Sequence, residues 1–242
     1  MPSVNKEKLI LFRRKDKGGL AVMRNILTFG TMKTDETTSK QDSTPDNIDA
    51  LLALAEANQR AARRLIEQLD VEGAFRRIGA EAHLVGSLRA GLLMTHLDVD
   101  FHIYSPSVSV RDSFAAVAEI AARPGVSNAW FTNSLDTDGQ CLEWHLHAAD
   151  HEGRTWQVDL IHMPSDSPFA GFFERVADRI AARLTPETRL AVLAMKAATP
   201  GDTKIAGVEY YRAVLDGGVR TWDDFMAWRR AHPLDGVDTW MP

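Results

Sequence analysis

The order of segments along the chain predicts an α+β fold: a mixed sheet flanked by helices, followed by a small C-terminal helical domain. Three observations carry this. Strand-type alternation of apolar and polar residues runs over 97–104, 141–150 and 154–163. Apolar residues at helical spacing precede and separate those stretches, and the pattern after Pro164 is helical throughout.

The chain has 242 residues, 45% hydrophobic and 25% charged, enough to bury a real core. Its formal charge of -5 excludes a broad basic surface of the kind that grips duplex DNA, although local cations can still hold a nucleotide. Cys141 is the single cysteine, so no internal disulfide forms and a reducing, cytoplasmic setting fits. No segment has the apolar length of a membrane span.

Residues 1–45 read as a mobile tail, because 33–46 is polar and lacks apolar periodicity; Met32 offers an alternative start. A catalytic domain is expected over 46–165 and a helical domain over 166–242. The first ordered element is a long helix, with Ile48, Leu51, Leu52, Ala55, Ala62, Leu65, Ile66 and Leu69 on one face. Asp46 or Asn47 would cap it, and it ends before Gly73. A short strand follows at 81–85, then the turn Gly86-Ser87 and a short helix over 88–94. In the strand 97–104, Val99, Phe101 and Ile103 share one face, while Asp98, Asp100, His102 and Tyr104 share the other. A helix over 110–122 stops at Pro124-Gly125, and a strand is expected at 129–133. The last helices are expected at 168–183, from a Thr185 cap with Pro186 at the first helical position, over 203–215, and from Thr221 with Asp224 as capping-box partner.

Strands 141–150 and 154–163 must align their apolar faces, and a slip of one residue would break this. A three-residue loop His151-Glu152-Gly153, with Gly153 left-handed, gives the right register. It pairs Asp150 with Arg154, His147 with Gln157 and His145 with Asp159. His145 and Glu143 are therefore expected near Asp159, and His147 is expected to be a solvated sheet residue. For His145 two readings stand side by side: a partner of Asp159 or a substrate contact, and a solvated polar residue.

The chemistry concentrates in 84–104. Gly86-Ser87 closes a strand and opens a helix, offering backbone N–H groups and a hydroxyl to a phosphate. Asp98 and Asp100 lie two apart on a strand, so both carboxylates point the same way. Two hard oxygen ligands on a rigid face suit Mg²⁺ or Mn²⁺, with substrate phosphates completing the shell. Asp159, charged within the apolar run Trp156 to Ile161, is the candidate third carboxylate. A zinc site has no supporting Cys/His spacing.

Together these residues resemble the signature of the DNA polymerase beta-like nucleotidyltransferase superfamily: a Gly-Ser turn opening a helix, an Asp-x-Asp strand, and a lone Asp on a later strand. The matching positions are Gly86, Ser87, Asp98, Asp100 and Asp159, and the likeness covers about 80–163. Thr95-His96-Leu97 departs from it, since many members carry Ser directly before the first Asp. The resemblance implies a nucleotidyltransferase-type sheet and a metal site at Asp98, Asp100 and Asp159. It also implies transfer of a nucleoside monophosphate from an NTP to a hydroxyl, with pyrophosphate released and Asp159 as base. By the same analogy Lys196 reaches the triphosphate; by their own positions Arg89, Arg189 and Lys204 are further candidate phosphate contacts, and Tyr210 and Tyr211 are candidates for stacking on the base. Solvated helix faces are the alternative for Arg189 and Lys204, and core packing for Tyr210 and Tyr211. Trp222, Phe225 and Trp228 read as core.

The acidic chain favours a small-molecule acceptor over RNA or protein. A sugar-nucleotide glycosyltransferase would also use Asp-x-Asp but leaves Gly86-Ser87 unexplained. A non-catalytic nucleotide-binding or interaction protein on the same fold is the alternative from another class.

Overall fold

Residues 45–201, 203–234 and 238–242 are described in the computed structural model of the chain. The tail expected over 1–45 therefore falls outside the described residues except at Pro45. In chain order the elements are α1 (Pro45–Leu69), α2 (Val71–Arg76), β1 (Glu81–Val85), α3 (Gly86–Arg89), β2 (Asp98–Ser105), α4 (Val110–Ala121), β3 (Val126–Ser134), β4 (Cys141–Ala149) and β5 (Thr155–Pro164). Four helices follow: α5 (Phe172–Arg183), α6 (Pro186–Ala198), α7 (Gly207–Leu215) and α8 (Trp222–Ala231).

The strands form one sheet in the order β1-β2-β5-β4-β3. β2 and β5 are parallel and every other pairing is antiparallel, so the sheet is mixed as expected. The hairpin register is the one that aligned apolar faces demand: His145 lies opposite Asp159 and His147 opposite Gln157. Gly153 takes φ 78, and the Asp150 N–H donates to the Arg154 carbonyl at 3.0 Å. The turn is locked from inside. The Asp150 carboxylate accepts from the N–H groups of Glu152 and Arg154 and from Trp156 Nε1, all at 2.9 Å. Burial opposes that charge, but the bonds from Trp156 and Arg154 outweigh it and hold the carboxyl below its ordinary pKa.

One sheet face carries Val99, Phe101, Ile103, Trp144, Leu146, Trp156, Val158 and Leu160 into a core shared with α1, α2 and α4. A second core joins α5 to α8 and also takes in Ala55 of α1 and Ala90, Leu92 and Met94 from the segment after α3. Helix α1 thus contributes to both. Among the described residues no helix is long and apolar enough to cross a membrane.

Several boundaries differ from expectation. The first helix begins at Pro45, so Asp46 and Asn47 lie inside it. Its break falls at Asp70, which takes φ 51, and the chain resumes as α2 straight through Gly73. The Asp70 carboxylate lies over Gly73, where a Cβ would overlap it, and pairs with Arg123 at 3.0 Å. The helix expected over 88–94 starts earlier and ends by Gly91, whose φ of 72 turns the chain so that Leu92 N–H bonds Ser87 O at 2.8 Å. α5 starts at Phe172, after left-handed Gly171, and α7 at Gly207. β3 is longer than expected at both ends.

His162 on β5 is fully buried, with Nε2 2.8 Å from Ser105 Oγ and its ring edge-on to Phe75. Burial pulls its pKa down to about 4, with Asp112 opposing. A neutral folded histidine contributes stability that is complete above the unfolded value of about 6.5 and is lost as pH falls from there toward 4. The loss amounts to about 3 kcal/mol. Urea midpoints should fall between pH 7 and pH 4.5, and fall less in a His162→Leu variant; equal slopes would exclude this histidine as the cause.

Candidate functional site

The parallel pairing of β2 with β5 sets Asp98 beside Gln157 and Asp100 beside Asp159. On the other side of β5, the antiparallel pairing sets His145 beside Asp159. Asp100, Asp159 and His145 therefore form one row across three neighbouring strands. Asp159 is buried, while Asp98 and Asp100 are partly exposed. The Asp159 carboxylate accepts from His145 Nδ1 at 2.7 Å and from Gln157 Nε2 at 2.8 and 3.0 Å. His145 is thus a partner of Asp159, one of its two expected readings.

Asp100 leans on the Gly86 turn. Gly86 takes φ 70, and a Cβ there would overlap Asp100 Oδ2 and sit 3.1 Å from its Cγ. The turn and the carboxylate are fitted to each other, and only glycine leaves the room.

A cavity of about 970 Å³ opens above this row. Its floor holds Asp98, Asp100 and Asp159, with Glu143 and His145 at one side; Gly86 and Ser87 stand at the rim. The helical region contributes Lys196, Lys204 and Tyr211 to its lining, with most of Tyr211 buried in the second core. Lys196 Nζ donates to the Leu92 carbonyl at 2.8 Å and lies 5.7 Å from the centre of the Tyr211 ring.

Two candidate cations are placed elsewhere. Arg89 does not line the cavity; its guanidinium grips Asp178 at 2.7 and 2.8 Å and Leu84 O at 3.0 Å, pinning α5 to β1. The bond to Asp178 raises its pKa further. Arg189 is likewise absent from the cavity wall. Tyr210 is core, stacked on Phe225 at 4.6 Å with its hydroxyl 2.7 Å from Thr199 Oγ1. His147 is half-buried, as a polar residue of the sheet, and packs edge-on against the ring of its diagonal neighbour Trp130 at 4.6 Å.

His102 and Tyr104 share the carboxylate face of β2 as expected, and α5 closes over that far end. His102 is buried edge-on to Phe173 at 4.9 Å, and burial, helped by His83, lowers its pKa to about 4. Tyr104 donates to Glu174 Oε1 at 2.7 Å and accepts from Gly171 N–H at 3.1 Å. The signal was present in Phe172-Phe173, aromatic residues at the start of a helix that must cover something. Cys141 at the same end is buried, and burial and Glu143 push its thiol up to about 12, so it is a poor nucleophile.

Among the described residues no three His, Cys, Asp or Glu side chains are gathered as a ready-made metal cage. The donor set still fits Mg²⁺, which takes one or two carboxylates and completes its shell with water and phosphate oxygens. The close fit of Asp100 to Gly86 holds that carboxylate beside the turn that also lines the cavity.

No protein-family model matches the sequence, and no curated protein matches it. Solved structures do match its fold. The Cid1 poly(U) polymerase with MgGTP bound aligns over 71% of this chain and 55% of that one, at 17% identity and a TM-score of 0.50. The fold is a nucleotidyltransferase fold. A second Cid1 structure, described by its RNA terminal uridylyl transferase activity, gives 0.51 over 71% and 54% at 18% identity. This chain spans about half the length of those proteins. At this identity the nucleotidyltransferase fold is what is shared.

Proposed function

We propose that the chain is a metal-dependent nucleotidyltransferase, moving a nucleoside monophosphate from an NTP to an acceptor hydroxyl and releasing pyrophosphate. The observation that carries this is the set of Asp98, Asp100 and Asp159 on two parallel neighbouring strands at the floor of one cavity. Asp98 and Asp100 would hold the Mg²⁺ or Mn²⁺, with Asp159 as the third carboxylate, and the cation when bound would neutralise charge on the reacting phosphate oxygens.

Each remaining part has a role for this chain's own groups. Gly86 and Ser87 offer backbone N–H and hydroxyl donors to the triphosphate, and Lys196 and Lys204 approach it from the helical region. Tyr211 presents its ring to the base. The acceptor oxygen attacks the α-phosphorus, the bond from that phosphorus to the pyrophosphate oxygen breaks, and the hydroxyl proton passes to Asp159. In this reading residues 46–165 supply the carboxylates and 166–242 the cations.

For the acceptor, the charge of -5 favours a small-molecule hydroxyl, while the fold likeness to a poly(U) polymerase favours an RNA end. The test is to incubate purified protein with Mg²⁺ or Mn²⁺ and each NTP labelled on the α-phosphate, supplying either short RNA or a pool of small hydroxyl compounds. Pyrophosphate and a labelled product are expected from one acceptor class. NTP binding without turnover would instead identify a non-catalytic nucleotide-binding protein. Loss of both NTP and metal binding would reject the reading.

A further inference from the structure

Asp159 stands between two neighbours in register, Asp100 on β2 and His145 on β4. One of its oxygens is tied across to β4, and both lie within reach of Gln157 on its own strand. Oδ1 takes the His145 Nδ1–H at 2.7 Å, and Gln157 Nε2 lies 2.8 and 3.0 Å from the two oxygens. That amide occupies the fork where a chelated cation would sit. The His145 and Asp159 side chains are only 12% and 4% exposed, so water competes poorly with these charge-assisted bonds.

We infer that His145 and Gln157 hold Asp159 off the metal position, so that a cation binds Asp98 and Asp100 first and gains Asp159 only when the Gln157 amide is displaced. The inference rests on the proposed metal site and adds an order of assembly to it. Two further observations agree. No three candidate ligands are gathered among the described residues, although Asp100 and Asp159 are strand neighbours. Gln157 is itself the strand neighbour of Asp98, so its amide belongs to the same patch as the first two ligands. The physical motive is repulsion: clustered carboxylates disfavour one another's charge when no cation is bound, and two hydrogen-bond donors relieve the third. An incoming nucleotide supplies both a second cation and the phosphate oxygens that make the exchange favourable.

The rival role for the same pair is simple support, orienting Asp159 toward the metal. The two roles predict opposite signs. Mn²⁺ binding is followed by the paramagnetic resonance of the free ion, with and without a non-hydrolysable NTP. In wild type without nucleotide, Asp98→Asn should weaken binding strongly and Asp159→Asn hardly at all. Gln157→Ala should tighten nucleotide-free binding about tenfold or more, the lower end of what a hydrogen bond to a charged group contributes. That gain should vanish in the Gln157→Ala, Asp159→Asn double variant. Gln157→Met keeps the side-chain volume on β5 and should reproduce the gain if alanine disturbs the strand.

Weaker Mn²⁺ binding in both Gln157 variants, or a large nucleotide-free loss in Asp159→Asn, would overturn the inference while leaving the metal site standing. Mn²⁺ binding indifferent to Asp98→Asn would overturn the metal site and the inference with it.

Discussion

Asp100→Asn is expected to lower nucleotidyl transfer about a thousandfold while leaving the protein as stable as wild type or slightly more so. Asparagine keeps the volume and can still pack on the Gly86 turn, so the change removes charge and little else. The lost charge is the one at the centre of the site, beside Asp159 on the sheet and against Gly86 at the rim. Metal-assisted charge neutralisation contributes several kcal/mol to such a transfer, and about 4 kcal/mol corresponds to the expected factor. Stability should not suffer, because clustered carboxylates repel one another when no cation is bound. Label transfer from the α-phosphate and thermal melting measure the two halves of the prediction. A wild-type rate at saturating Mg²⁺ would remove Asp100 from the site.

Gly86→Ala is expected to damage activity nearly as much for a different reason. The backbone at φ 70 costs a side chain about 1–2 kcal/mol, and the added Cβ overlaps Asp100 Oδ2. The carboxylate must move, and displacing a reacting or ligating atom by about 1 Å costs about a hundredfold in rate. Gly91 supplies the control. Its φ is 72, yet a Cβ there meets nothing within 4 Å. Gly91→Ala should lose similar stability and keep the rate. If both variants lose activity equally, backbone strain is responsible and the contact with Asp100 is not.

The strands and their faces were legible in the sequence because alternation has a period of two and leaves little freedom once both faces of the sheet are assigned. The hairpin is the clearest instance: a three-residue loop ending in Gly153 fixes the pairing that brings His145 to Asp159. Legibility failed where a residue's fate depends on something distant. Arg89 looked like a phosphate contact because it follows the Gly86 turn, but its partner Asp178 lies 89 positions away. His102 and Tyr104 shared a face with the carboxylates, and only the packing of α5 decided that they would be buried. The break at Asp70 was missed because glycine is the usual sign of a stop, whereas here an aspartate takes the left-handed conformation and bonds Arg123. Lys196 was placed by analogy and Tyr211 by residue type, and the helical packing that brings both to the cavity is a product of the second core.

Helix α1 has a mechanical consequence for that cavity. Ala55 is rooted among the C-terminal helices, while Ala61, Ala62, Leu65 and Leu69 are rooted under the sheet. Between them Asn58 donates to Met94 O at 3.0 Å and accepts from Arg154 at 2.8 Å. One continuous beam thus ties the carboxylate floor to the helical wall, and the two cannot swing apart without bending it or tearing a core. The cavity that Thr199, Pro200 and Lys204 help to line is therefore held between two rooted walls, and a jaw-like parting of two halves is not open to it.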